Sequence, residues 1–199
     1  MIPDDTESFL QNVALLVVDM QPAFLKSISD SEVLLRRTTF ATEAASLFGL
    51  RTFFTEQSPD KLGHTHQSLL QASDVEGSET QIIFPKNAFS ALASEPLVDQ
   101  IRNHEIHHLL LCGIEIPICV YQTALSAMDM DLQITLLTDC IGGRRPEDFS
   151  PVLRTLDSCG CYLLPSETVF YSLLKTASHP AFRKMTALVK RYSREDPNE

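Results

Sequence analysis

No stretch of the 199-residue chain approaches the ~18 consecutive apolar residues that a helical membrane span requires. No cluster of Lys or Arg offsets the formal net charge of −10, which argues against a nucleic-acid backbone or an anionic membrane as partner. An anionic small substrate needs only one local cation and is not excluded. No basic residue precedes Lys26, and the opening segment carries Asp4, Asp5 and Glu7. Neither a secretory signal nor an Arg-rich transit sequence has that composition. The five cysteines are an odd number without framework spacing, and Cys159 and Cys161 stand too alone to hold zinc. Internal repeats, low-complexity stretches and linkers are absent too. The expectation is a soluble cytoplasmic protein with free thiols, without nucleic-acid or membrane partners.

What is present is enough for one large core: 44% of the residues are hydrophobic. The length suits a single domain over 1–199, with 1–12 a loosely ordered N-terminus. Val13 to Val18 is a continuous apolar run, as expected of a strand buried on both faces. A helix follows Ser29, with Glu32 completing a capping box and an apolar stripe running from Val33 to Phe48. Further strands are expected at Thr52–Thr55, Gln81–Phe84, His107–Cys112, Gln133–Thr138 and Cys161–Leu164. Between them lie helical segments near Pro96–Asn103, from Cys119 to about Met130, and from Pro146 to Ser158. Two more helices begin at Ser166 and Pro180. Glu56 to Thr80 reads as a long irregular segment of the kind that forms lids. Alternating strands and helices predict an α/β fold: a three-layer α-β-α sandwich, Rossmann-like, with about six mostly parallel strands.

Ligands in such sheets bind beyond the carboxyl ends of the strands, and Asp19, Lys86 and Cys119 all follow strand ends. Singly, each has an ordinary explanation: a turn former, a solvated charge, an inert buried thiol. The last is the default for Cys112, Cys140, Cys159 and Cys161. Together they supply a carboxylate, an ammonium and a helix-start thiol, a complete set for acyl chemistry. The thiol needs a base or cation to become a nucleophile; Asp19 is the candidate base and Lys86 the cationic support. The backbone N–H groups of Glu115 and Cys119, in the turn after the central strand, are candidate oxyanion-hole donors. Pro117 has no N–H to give. His104, His107 and His108 are expected at the surface of the opposite end of the sheet. Gly142-Gly143-Arg144-Arg145 follows a strand end and could line the pocket or bind a carboxylate, but is expected as a solvated loop.

Three stretches, in order, resemble the isochorismatase-like cysteine-hydrolase superfamily. They are Leu15-Leu16-Val17-Val18-Asp19-Met20-Gln21, Lys86-x-x-Phe89-Ser90-Ala91, and Gly113-Ile114-Glu115-Ile116-Pro117-Ile118-Cys119-Val120-x-Gln122-Thr123-Ala124. The resemblance spans nearly the whole chain. It implies an Asp19–Lys86–Cys119 triad, a cis peptide at Ile114-Glu115, and a homo-oligomer. Where nicotinamidases of that superfamily carry an Asp and two His as metal ligands, this chain reads Thr55-Glu56-Gln57-Ser58-Pro59, so no metal and no cofactor are expected. That pattern is similar instead to the small eukaryotic isochorismatase-domain proteins. Ile116-Pro117 replaces the polar pair common before the cysteine, and isochorismatases proper lack the cysteine. The expected function is metal-independent hydrolysis of a small-molecule amide through a Cys119 acyl-enzyme, in a pocket that includes Phe24, Glu56, Gln57, Ile114 and Ile116. The alternative is a catalytically silent ligand-binding or oligomeric module on the same scaffold.

Overall fold

The structure, a computed structural model, describes residues 10–73 and 82–193. Six strands form one sheet: β1 (Val13–Val18), β2 (Arg51–Gln57), β3 (Ile83–Lys86), β4 (His108–Ile114), β5 (Gln133–Gly142) and β6 (Tyr162–Leu164). Their order is β3-β2-β1-β4-β5-β6, and every neighbouring pair is parallel. The expected six strands are therefore all parallel. The described helices are α1 (Pro22–Leu25), α2 (Ser31–Leu47), α3 (Pro59–Leu62), α4 (Gln67–Ala72), α5 (Glu95–Asn103), α6 (Tyr121–Met128), α7 (Phe149–Ser158), α8 (Ser166–Leu174) and α9 (Phe182–Ser193).

Strand alternation divides the core into two layers. Val13, Leu15 and Val17 of β1 pack with Leu34, Phe40, Ala41 and Ala44 of α2 and with residues of α8 and α9. Ala14, Leu16 and Val18 pack on the other face, with Leu97 and Ile101 of α5, Ala124 and Ala127 of α6, and Leu156 of α7. This is the three-layer sandwich. Each fully buried Leu, Val or Phe contributes roughly 1.5–3 kcal/mol, so β1, buried along its whole length, is the spine of both layers. Among the described residues no helix is long and apolar enough to cross a membrane.

Several boundaries differ from expectation, each for a local reason. Ser29 lies inside a turn closed by the Ser31 N–H on the Ile28 carbonyl, so α2 starts later and its N-cap, Asp30, makes no side-chain cap bond. The capping box does not form. The segment after Thr55 is less irregular than its polarity suggests: β2 continues to Gln57, and α3 and α4 follow. Gln81 and the end of that segment lie outside the described residues. β5 runs on to Gly142, because a bulge opposite Cys112 brings Ile141 beside Gly113 and Gly142 beside Ile114. Within that bulge Asp139 accepts from Arg37 of α2 at 2.7 and 2.9 Å and from Ser166 of α8, tying two helices to the sheet.

The chain crosses from one half of the sheet to the other between β1 and β4, and there the two strands come unusually close. Gly113 has φ +114, and a Cβ at that position would sit 2.1 Å from the Val18 carbonyl oxygen. A glycine is needed both for the left-handed backbone and for the approach. Gly113→Ala is expected to cost about 2–3 kcal/mol, combining overpacking with backbone strain. A fall in the urea midpoint at unchanged m-value would show it.

Candidate active site

The site is assembled from the carboxyl ends of β1, β2 and β3 and the turn after β4. β1 ends because Asp19 takes a left-handed conformation, φ +53, which Asp tolerates better than most residues. Its N–H still bonds the Thr55 carbonyl at 3.1 Å, but its side chain turns into the protein and is fully buried. The register Val18↔Thr55 places the Thr55 hydroxyl 2.8 Å from Asp19 Oδ1, to which it donates. Two residues on, Gln57 shares that strand face and stands opposite Lys86, the last residue of β3.

Lys86 Nζ lies 2.7 Å from Asp19 Oδ2, and both side chains are 1% exposed. The ammonium also donates to Gln57 Oε1 at 2.7 Å and to the carbonyls of Ala88 and Phe89 at 3.2 and 3.1 Å. Such a pair survives burial only when its other donors and acceptors are satisfied, and here four oxygens surround the one ammonium. Gln21 fastens the ends of β1 and β2: its Oε1 accepts from the Gln57 N–H at 2.8 Å and its Nε2 donates to the Gln57 and Gly63 carbonyls.

After β4 the Ile114–Glu115 peptide is cis. Next comes not a regular first helical turn but a π-turn over Ile116–Val120, in which the N–H groups of Ile118 and Val120 both bond the Glu115 carbonyl at 3.1 Å. Those N–H groups are therefore spent. The turn brings Cys119 beside the Asp19 carboxylate, Lys86 and the Glu115 backbone, each of which acts on its thiol. Burial first, and then the Asp19 carboxylate, push the Cys119 thiol up to about 12, against the opposing pull of Lys86 and the Glu115 N–H. At neutral pH the resting sulfur thus holds its proton, with a carboxylate positioned to accept it.

Asp19, Lys86 and Cys119 come together; the expected pocket residues divide. Gln57 joins the site through Lys86. Glu56 faces away, its carboxylate held by the Thr65 N–H and hydroxyl at 2.7 and 3.0 Å and by His64 at 3.0 Å. Successive strand residues point to opposite faces, so Glu56 anchors the following loop rather than lining the site with Thr55 and Gln57. Phe24 packs on the α2-side core, and Ile114 and Ile116 are fully buried in opposite layers. A cavity of about 650 Å³ beside β3, lined by Ser58, Lys61, Asn87 and Ser94 among others, touches Lys86 and none of the expected pocket residues.

Sequence reasoning missed Thr55 and Gln21 as site residues. The signal was available only through register, since Thr55 becomes a partner of Asp19 once β1 and β2 are paired. Arg144 stands in an exposed loop as expected, and it also pairs through Nε with the Glu115 carboxylate, a partner the sequence did not identify. His108, expected at the surface, is half-buried and bonds Thr135 Oγ1 at 2.8 Å.

Comparison with known proteins gives a concordant result. A family model described as the isochorismatase domain matches residues 13–168. The isochorismatase domain-containing protein 2 of Bos taurus is 30% identical over 178 residues, covering 88% of this chain and 82% of its own. The solved structure of the MAR1 ribonuclease from Caenorhabditis elegans superposes with TM-score 0.84 at 26% identity, covering 95% of both chains. The YcaC gene product of Escherichia coli, described as an octameric hydrolase of unknown specificity, shares the fold at TM-score 0.83 and 19% identity, covering 92% of this chain and 89% of its own.

Proposed function

The chain belongs to the isochorismatase family, and from that premise we propose that it is a metal-independent cysteine hydrolase cleaving the C–N bond of a small amide. The observation that supports this most is the buried Lys86–Asp19 pair with the Cys119 thiol against the same carboxylate. In this reading the Cys119 sulfur attacks the amide carbonyl carbon as its proton passes to Asp19. The oxyanion is received by the N–H groups of Glu115 and Cys119. Collapse of the tetrahedral intermediate breaks the C–N bond, and Asp19 delivers its proton to the leaving amine. Water then attacks the thioester, Asp19 takes a proton again, and the expelled sulfur recovers it. Lys86 never leaves Asp19; it holds the carboxylate in place and keeps its charge tolerable in a buried site. Thr55, Glu56 and Gln57, at the positions where nicotinamidases place metal ligands, are bonded to Asp19, Thr65 and Lys86 instead. A homo-oligomer in the cytoplasm belongs to the same proposal, and size-exclusion chromatography with light scattering tests the assembly.

The test is a mass-spectrometric search for an acyl adduct during turnover of a broad amide panel. A Cys159→Ser background removes the exposed thiol. The expected result is a quenchable adduct on the Cys119 peptide; a cleaved amide with no adduct there would overturn the nucleophile assignment. The name of the C. elegans neighbour raises a second reading, a ribonuclease. The formal charge of −10 speaks against it, and the exposed Arg144 and Arg145 are each already paired with carboxylates of this chain. Cleavage of RNA that disappears in Cys119→Ala would reinstate it.

A further inference from the structure

The proposed oxyanion hole depends on where the Glu115 peptide points, and that residue is held from a strand other than its own. β5 ends at Gly142, paired with Ile114, and the chain then turns across the Ile116–Pro117 turn. A Cβ on Gly143 would sit 3.2 Å from Phe149, 3.4 Å from Pro117 and 3.6 Å from Ile116, so this loop lies directly on the nucleophile's turn. The next residue, Arg144, pairs with Glu115, whose side chain is 9% exposed against 58% for the arginine. Glu115 is thereby tied at two points: its carboxylate to Arg144 and its carbonyl to the N–H groups of Ile118 and Val120.

We propose that Arg144 is a positioning residue that aims the Glu115 N–H into the oxyanion hole by clamping the Glu115 carboxylate. Arg144 stands largely in solvent, so the pair adds less to global stability than a fully buried one would. Its effect falls on aim rather than on folding, and a small error in a donor's direction is costly where charge develops. The inference rests on Cys119 being the nucleophile.

Two reagents separate acylation from simple sulfur reactivity, both in the Cys159→Ser background. p-Nitrophenyl acetate acylates through a tetrahedral oxyanion: the sulfur–carbon bond forms, the Cys119 proton passes to Asp19, and nitrophenolate leaves with its electron pair. Iodoacetamide alkylates by direct displacement of iodide and forms no oxyanion. Arg144→Gln is expected to slow the nitrophenolate burst about tenfold while changing iodoacetamide labelling of Cys119 less than twofold. Arg144→Lys is expected to recover part of the burst. Glu115→Gln cuts the same link and is expected to match Arg144→Gln, with the double variant no slower than either single one. Equal loss with both reagents, additive losses in the double variant, or an unchanged burst would each overturn the proposal. Should neither reagent prefer Cys119 over the buried thiols in the parent protein, the nucleophile reading falls, and this inference with it.

Discussion

Cys119→Ala is expected to lower turnover of any amide the wild-type protein cleaves by about 10³-fold or more, the scale of losing a covalent nucleophile. Stability should barely move, because the sulfur's main polar partner, Asp19, keeps Lys86 and Thr55. The pH dependence makes the prediction sharper. With the thiol raised to about 12 by burial and by Asp19, the standing thiolate is scarce at neutral pH and grows about tenfold with each pH unit. A mechanism needing preformed thiolate would climb at that slope from pH 6 to 9. Proton transfer to Asp19 during attack predicts a plateau over the same range. Asp19→Asn removes the proton acceptor and also the charge that holds the thiol up. It is expected to lose ~10²–10⁴-fold in turnover and to replace the plateau with the climbing profile. A plateau that survives Asp19→Asn would remove Asp19 from the role of base. A silent binding module, the alternative reading, predicts no turnover to lose.

The parts of this site legible in the sequence were those set by strand termini. Val13–Val18 and Leu109–Cys112 are apolar runs with abrupt ends, and a parallel sheet sends such ends to one rim. That rule put Asp19 and Cys119 at the rim, and the resemblance of the three motifs joined them with Lys86 into one candidate site. The parts not legible were those set by register and by irregularity. Glu56 and Gln57 look like the start of a loop because they are polar. Yet β2 carries both to the rim, where alternation gives one to Lys86 and the other to the Thr65 loop. Arg144 was hidden behind the β5 bulge: without it the strand ends near Thr138 and Arg144 is remote from Glu115. Once Gly142 pairs with Ile114, Arg144 and Glu115 are neighbours by necessity. The π-turn at Ile116–Val120 is not marked by Pro117, since a proline in the first turn suits an ordinary helical start equally well. Its pattern, with Val120 bonded back to Glu115, depends on how the preceding strand is held.

Lys86→Met is the substitution expected to damage the fold most, by about 3–5 kcal/mol, because it leaves the Asp19 carboxylate buried without its cation. Gln57 Oε1 and the Ala88 and Phe89 carbonyls lose their donor as well. The informative comparison is with Asp19→Asn/Lys86→Met. Asn accepts the left-handed backbone at that position almost as readily as Asp, can still accept the Thr55 hydroxyl, and removes the stranded charge. Replacing both members of a buried pair is often near neutral, so the double variant is expected to regain most of the stability lost by Lys86→Met. Denaturant midpoints at equal m-value provide the measurement, and the cycle should give a coupling of at least about 2 kcal/mol. Turnover should not return with stability. A pair that the fold can exchange for neutral groups at little cost, but that the reaction cannot lose, is retained for chemistry. A double variant as unstable as the single one would mean instead that the pair is a structural keystone, and the silent-module reading would gain accordingly.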